Sequence, residues 1–343
     1  MRYYPNGVSK SNPTHSDLHV STPLTNISVG WAQANQGKYM AQGLFPLVGV
    51  NKKSDKYYVW DKGDLLRSQA QRRAPGAEAA VGGHRISTDN YECERWALAR
   101  DIDDPTRANA DPAVSNLDAR ATQFITDQIE LAHEVEFVTD FFAPSVWTGA
   151  SSTSDMTGAA SPASTAASFM YWNDAASTPI QDIRGELSAV ESRTGYRPNV
   201  LALGPQVEDA LADHPDIVDR IKYTGGGAAS VDIKALLAQM FGLDRVVTLR
   251  AVRNTGTEGG TDSVGYLAGK HALLMYVTPT PGLDIPTAGY TFVWTGAGTP
   301  LQGARIKRYR LDRNESDRVE GERWTDFKVV ASELGAFFSG AVA

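Results

Sequence analysis

Several stretches of this sequence carry residue types that could do chemistry, and each falls short of the pattern its chemistry needs. Gly265–His271 (GYLAGKH) is close to a phosphate-cradling loop. The working motif has four residues between its glycines and a hydroxyl after the lysine, which reaches magnesium. Here three residues intervene and His271 follows Lys270, so a plain turn into a buried strand is expected. His15 and His19 stand four apart, the helical spacing of two metal ligands. They lie in a polar segment with no positioned third ligand, and read as solvated. His133-Glu134 opens like HExxH, but Phe137 occupies the place of the second histidine. The pair is expected on a helix's solvent face. Ser263 comes nearest to a nucleophile elbow, with Thr261 in place of the first glycine. Asp312, Asn314 and Asp317 lack the full ligand run and central glycine of a calcium loop, and read as a solvated turn. Cys93 is the single cysteine, which excludes an internal disulfide and paired-cysteine zinc sites. It is expected as a small buried hydrophobe. No acid/base pair stands out among the carboxylates. The sequence thus nominates no catalytic, cofactor or metal residue and points away from an enzyme.

The elements that would position such residues are more informative. The chain has 343 residues, 42% hydrophobic and 21% charged, with a net charge of -7. Ordinary globular composition and ample core are implied. An acidic chain grips nucleic acid poorly, because that affinity comes from neutralising phosphates. The opening MRYYPNGVSKSNPTHSD has no apolar h-region, and no apolar run reaches the roughly 18–20 residues of a membrane span. A protein made in the cytoplasm is expected.

Residues 1–45 are polar with little periodicity and read as an arm without regular structure. Asp103-Asp104-Pro105 reads as a helix start. Leu117–Phe142 is the clearest helix, with Leu117, Ala121, Phe124, Gln128, Leu131, Val135, Val138 and Phe142 stepping by three or four and Ile125, Ile129 and Ala132 widening the stripe. Its expected solvent face carries six acidic residues against Arg120, a net of -5. Residues 148–168 are low in complexity and read as a surface loop. Helices and strands then alternate: a helix ended by Gly195, a strand Val200–Leu203, a short helix after Gly204-Pro205, and a helix Val231–Phe241 capped by Ser230. Strands follow at Val246–Val252 and Ala272–Val277. Arg305–Leu311 and Trp324–Ala331 read as a closing strand pair joined by DRNESDRVEGER.

One stretch fits no core. Lys56–Thr88 (KYYVWDKGDLLRSQAQRRAPGAEAAVGGHRIST) begins and ends like strands, with a basic, glycine-punctuated excursion between them. Six basic residues stand against three acidic ones, a net of +3. Connections of this length inside a compact domain are uncommon unless functional.

With KYYVWDKGDLLRSQAQRRAPGAEA, GGHRISTDNYECERWALARDIDD and RANAD (Arg107–Asp111) in place, the order of elements resembles the major capsid proteins of tailed bacteriophages. That shell fold is shared with encapsulins and the herpesvirus capsid floor. The resemblance covers nearly the whole chain. It implies an α+β fold with an N-terminal arm (1–49) and an extended β-hairpin loop (50–98). It further implies a peripheral domain (99–175 and 301–343) with spine helix 117–142, and an axial α/β domain (176–300). It implies a structural protein self-assembling into hexamers and pentamers of an icosahedral head around double-stranded DNA, bound without sequence preference. Portal, possible decoration protein and, since the arm follows Met1 directly, a separate scaffolding protein would be partners. An encapsulin-like compartment or, from another class, a soluble α/β enzyme are the alternatives. Some members crosslink through lysine; no feature here marks a bonding pair for Lys52, Lys53, Lys56 or Lys62, so none is expected. Loop and helix charges suggest that one copy's loop docks on a neighbour's acidic surface, setting register more than affinity. The candidate contacts are Lys56, Lys62, Arg67, Arg72, Arg73 and Arg85 on the loop and Asp127, Glu130 and Glu134 on the helix. Arg313, Glu315 and Arg318 of the closing hairpin complete the set.

Overall fold

A computed structural model describes residues 22–34, 37–60, 62–110, 116–151, 155–161, 167–224, 233–282 and 285–343. His15, His19, Asp111 and Ser230 lie outside the described residues. The chain divides into two compact units, one of residues 1–34, 95–130 and 297–324, the other of 35–94, 131–296 and 325–343. Helix Leu117–Phe141 and strand Ser316–Val329 contribute to both.

In the first unit, the expected polar arm contains a helix, Thr22–Ala34. Hydroxyls share its attachment with Leu24, which packs on the unit's apolar core, so no clear apolar period announces it. Ser28 Oγ lies 2.8 Å from Thr126 Oγ1 and accepts the Ala304 amide at 2.9 Å, and Thr25 Oγ1 accepts the Ile306 amide at 3.2 Å. Asp103 and Pro105 start the short helix Asp104–Ala108. Strand Arg305–Leu311 runs antiparallel to the closing strand, from Arg305↔Glu322 to Leu311↔Ser316, and strand Glu94–Asp103 also pairs with the closing strand. The expected twelve-residue connection is therefore mostly strand. The turn is only a 3-10 turn, Asp312–Asn314, followed by Glu315 in the left-handed region. Alternating charges extend the strand because each finds an opposite partner, as shown below. Ile102, Ala121, Ile125, Ile129, Ile306 and Val319 form the core. Gly321 permits the close approach: a Cβ there would stand 2.5 Å from Ile125 Cγ2.

The second unit is built on a six-stranded sheet ordered Ser168–Met170, Met156–Ala159, Gly335–Ser339, Ala272–Met275, Val200–Leu203, Arg245–Thr248. Its central strands are apolar at every position because both faces are covered. Leu201, Leu203, Leu274 and Phe338 pack on the helix residues Ile183, Leu187, Val207 and Phe241. Val200, Ala202, Leu273, Met275 and Phe337 join Phe45, Phe137, Phe141 and Trp147. One of these strands, Met156–Ala159, lies within 148–168, where a surface loop was expected, and another, Ser168–Met170, begins at its end. Phe169 and Met156 anchor them in the core. Helix Pro179–Thr194 ends at Gly195 with φ 76°, as its sequence predicts. The last helix begins at Ile233 among the described residues. A second sheet pairs Leu47–Val50 in parallel with Gly289–Trp294, which runs antiparallel to the end of the closing strand.

The long helix is present, and Ala121, Ile125, Ile129, Val138 and Phe142 of the expected stripe are buried, whereas Phe124, Gln128, Leu131 and Val135 are exposed or half-buried. Ala121, Thr122, Ile125, Thr126, Ile129 and Glu130 are buried in the first unit. His133, Glu134, Phe137, Val138 and Phe141 are buried in the second. Phe124, expected inward, is 47% exposed, and Arg100 lies over its ring. Thr122, Thr126, Glu130, His133 and Glu134 share the buried face with these apolar residues, which a count of apolar positions alone does not register.

Candidate assembly surface

Nothing among the described residues assembles into a reactive centre. No group of three or more His, Cys, Asp or Glu side chains could hold a metal there. Ser177 Oγ and His214 Nε2 are 3.1 Å apart, but the Asp216 amide donates to Nδ1 at 3.2 Å. Nε2 therefore carries the proton and cannot take one from the serine, whose own hydroxyl donates to the Asp174 carbonyl. His271 is stacked on Phe337, its Nδ1 accepts the Gly340 amide, and burial lowers its pKa. GYLAGKH is thus a turn into the buried strand Ala272–Met275. His133 and Glu134 are buried, not solvated; His133 Nε2 lies 3.0 Å from Thr325 Oγ1. Asp312 and Asn314 lie in an exposed turn, and Asp317 pairs with Arg308 at 2.9 Å. Cys93 is fully buried, and burial first, then Asp326, pushes its thiol up to about 12.

What the chain does present is the extended loop. Strands Ser54–Trp60 and Ile86–Glu92 pair antiparallel from Ser54↔Glu92 to Trp60↔Ile86. Every residue from 70 to 90 is exposed, Val81 by 99%. A stretch with no core of its own holds its shape by local hydrogen bonds. The Gln69 amide clasps Gly83 in both directions, donating to its carbonyl at 2.9 Å and accepting its amide at 2.8 Å. Asp64 accepts the Arg85 backbone and side chain at 3.1 and 2.9 Å, and the Arg85 partnership lowers its pKa. The far end is a type II turn: Pro75 fixes one φ, Gly76 supplies φ 82°, and the Ala77 amide donates to Ala74 at 3.1 Å. Arg73 Nε reaches the Ala77 carbonyl.

At the loop's root, Tyr91 stacks on Phe292 with centroids 4.5 Å apart. The Glu92 amide donates to Asp326 Oδ2 at 2.8 Å, and the Cys93 amide to the Lys53 carbonyl at 2.9 Å. Beside it lies an apolar groove of about 360 Å³, lined by Leu47, Tyr57, Tyr58, Ile285, Tyr290 and Phe292 among others.

The proposed contact residues divide sharply. Lys56, Arg67, Arg72 and Arg73 are exposed, whereas Arg85 is engaged by Asp64; the side chain of Lys62 lies outside the described set. The helix is not the acidic face its sequence suggested. Glu130 is buried against Arg323 at 3.1 Å. Glu134 is buried with Oε2 accepting the Met40 and Ala41 amides at 2.9 and 2.7 Å. Neither can meet a neighbour's arginine in this arrangement. Asp127 accepts Trp31 Nε1 at 2.9 Å, and Asp118 pairs with Arg107 at 2.7 Å. On the closing hairpin, Arg313 and Glu315 are exposed, while Arg318 makes a two-pronged bond to Asp101 at 2.6 and 2.7 Å. Glu322 gathers Arg305, Lys307 and Arg95, the last two at 2.8 and 2.5 Å. Burial, then Arg305, lowers Lys307 to about 8. Sequence reasoning missed Asp64, Gln69 and Asp326 as the residues that shape and root the loop. Their partners are 14 to 234 positions away, so no local spacing announces them.

No family model matches the chain. The major capsid protein of Burkholderia phage BcepMu is 25% identical to it over 304 residues, 87% of this chain and 90% of that protein. A phage-related protein from Bordetella bronchiseptica RB50 superposes with a TM-score of 0.69 at 21% identity, over 94% of this chain and 98% of that one. The mature capsid of bacteriophage PhiM1 superposes with a TM-score of 0.53 at 12% identity, over 87% and 86%.

Proposed function

We infer that this chain is a major capsid protein of the tailed-phage class, a structural protein that self-assembles into the shell of a phage head. The observation that carries this reading is the extended loop in a chain of that fold. Its residues 70–90 are exposed, ordered by their own hydrogen bonds and joined to no core. Such a segment gains a partner only from outside its own chain, and in a shell the partner is another copy. Hexamers and pentamers would close an icosahedral particle around double-stranded DNA. Residues 1–49, 50–98, 99–175 with 301–343, and 176–300 would be the chain's arm, extended loop, peripheral domain and axial domain.

The loop cations Lys56, Arg67, Arg72 and Arg73 are the contacts proposed to reach the neighbour. With Glu130 and Glu134 turned inward, the complementary surface is sought elsewhere on that neighbour, with Arg313 and Glu315 as exposed candidates of the hairpin. Surface ion pairs are individually weak, about 0–1 kcal/mol. Many repeated contacts in a closed shell act together. A scaffolding protein, a portal and a decoration protein are the further partners of this reading. The virion, assembled in a bacterial cytoplasm, is its location. No described helix is long and apolar enough to cross a membrane.

Electron microscopy of the expressed protein tests the reading. Closed icosahedral particles, or capsomer-sized rings, are expected. A monomer that stays monomeric at high concentration, with or without candidate scaffold, would overturn it.

A further inference from the structure

The loop's return path has a joint. Ile86–Glu92 pairs with the outgoing loop strand, whereas the next strand, Glu94–Asp103, pairs with the closing strand. Cys93 stands between them, buried, with its amide held by Lys53. The last loop-side amide, Glu92, donates to Asp326 on the closing strand. A single carboxylate thus ties the root of the loop to the unit's sheet.

That carboxylate is not isolated. The long helix packs on the closing strand to either side of it, with His133 Nε2 3.0 Å from Thr325 Oγ1 and the Phe137 and Phe327 ring centroids 5.6 Å apart, which brings Glu136 near Asp326; Asp140 on its own helix and Glu94 at the joint also act on Glu136. Asp326 also interacts with Glu94, and its cation is Lys328, 3.7 Å away. Tyr57 of the outgoing loop strand faces Asp326 as well, with its hydroxyl donating to Asp89. Glu136 Oε2 is buried without a hydrogen-bond partner. The carboxyl groups of Glu136, Asp140, Asp326 and Glu94 and the Lys328 ammonium therefore lie near the point where the loop changes sheets, with Lys53 paired to the Glu92 carboxylate at 3.1 Å. Like charges this close disfavour each other's ionisation, and burial adds to the effect.

We propose that the root of the extended loop is a proton-operated latch. With Glu136 protonated, Asp326 holds the Glu92 amide and the root is closed. With Glu136 ionised, its repulsion of Asp326 and Glu94 favours opening at Cys93. Burial, then Asp140, Asp326 and Glu94, raises Glu136 to about 7. The sign follows from linkage: an acid with a raised pKa in the closed state stabilises that state at low pH. This contribution is full below the ordinary glutamate pKa near 4.3 and is lost as pH rises through about 7. Asp326, whose own pKa is raised chiefly by burial, reinforces the direction. The latch concerns one chain's loop root, so it stands or falls independently of shell formation.

Hydrogen–deuterium exchange of the full chain, corrected for intrinsic exchange rates, tests the latch at the Glu92 and Cys93 amides between pH 5.5 and 8.5. Protection is expected to fall with a midpoint near 7, by about tenfold for each pKa unit that opening relaxes Glu136. Glu136→Gln should flatten the profile and keep protection at its low-pH level. Glu94→Gln, at an exposed position, should move the midpoint to lower pH while leaving the fold intact. A wild-type profile without a transition would overturn the latch. So would a Glu94→Gln profile superposable on the wild type, or a Glu136→Gln profile that keeps the wild-type midpoint.

Discussion

At the scale of single residues, the chain spends its charges inward. Glu134 is acidic, sits on a helix and looks solvated in sequence, yet it caps the short helix Ala41–Leu44 by accepting its first amides. Its replacement by alanine should leave two inward amides without an acceptor and cost about 3 kcal/mol. Chemical denaturation of the purified chain measures this. A loss under 1 kcal/mol would show that water replaces the carboxylate. Glu130→Ala should be at least as costly, because it strands Arg323, which is fully buried. Cys93 behaved as its sequence context suggested, since a lone thiol among Tyr, Glu and Arg in an alternating strand has one apolar place to go. The helix acids did not. An acidic residue's default is solvent, and only a partner some 90 or 190 positions away, such as Met40 or Arg323, reverses that default.

At the scale of elements, regular hydrogen bonding was legible where polarity repeats with one period. Helix Pro179–Thr194 and strand Val200–Leu203 are two such cases. It was illegible where hydroxyls or ion pairs share the attachment with apolar contacts, as in helix Thr22–Ala34 and in the charged half of strand Ser316–Val329. The loop lies between these cases. Its strands and its Pro-Gly turn follow from composition, whereas the clasp of Gln69 on Gly83 and of Asp64 on Arg85 does not. Reversing Arg67, Arg72 and Arg73 to glutamate removes three exposed cations and one turn hydrogen bond, that of Arg73 to the Ala77 carbonyl. The subunit should keep its melting temperature within the scatter of surface substitutions, about 0.5 kcal/mol. Shell formation, followed by light scattering and microscopy, should be lost. Normal shells from this triple variant would remove the loop cations from the assembly contact, and a collapsed melting temperature would show that they shape the loop itself.

At the scale of the whole molecule, the architecture was readable because element order survives where motifs do not. The relatives share 25% identity or less, yet matching folds cover most of the chain. Placement of contact residues was not readable. Contacts between copies leave no imprint on periodicity within one chain, and an exposed arginine in sequence looks the same whether it meets water or a neighbour.

The loop's fully exposed stretch has a consequence for the fate of chains that never assemble. Arg67, Arg72 and Arg73 sit on a projecting segment without a core, which is the geometry a protease needs to draw a strand into its cleft. Limited trypsin digestion should therefore cut the free subunit between 67 and 74 first and leave the rest intact, while assembled particles resist. Equal cleavage of both forms would mean that the loop stays uncovered in the shell. A chain left out of a particle would thus carry a ready mark for its own removal, at the same arginines proposed to meet a neighbour.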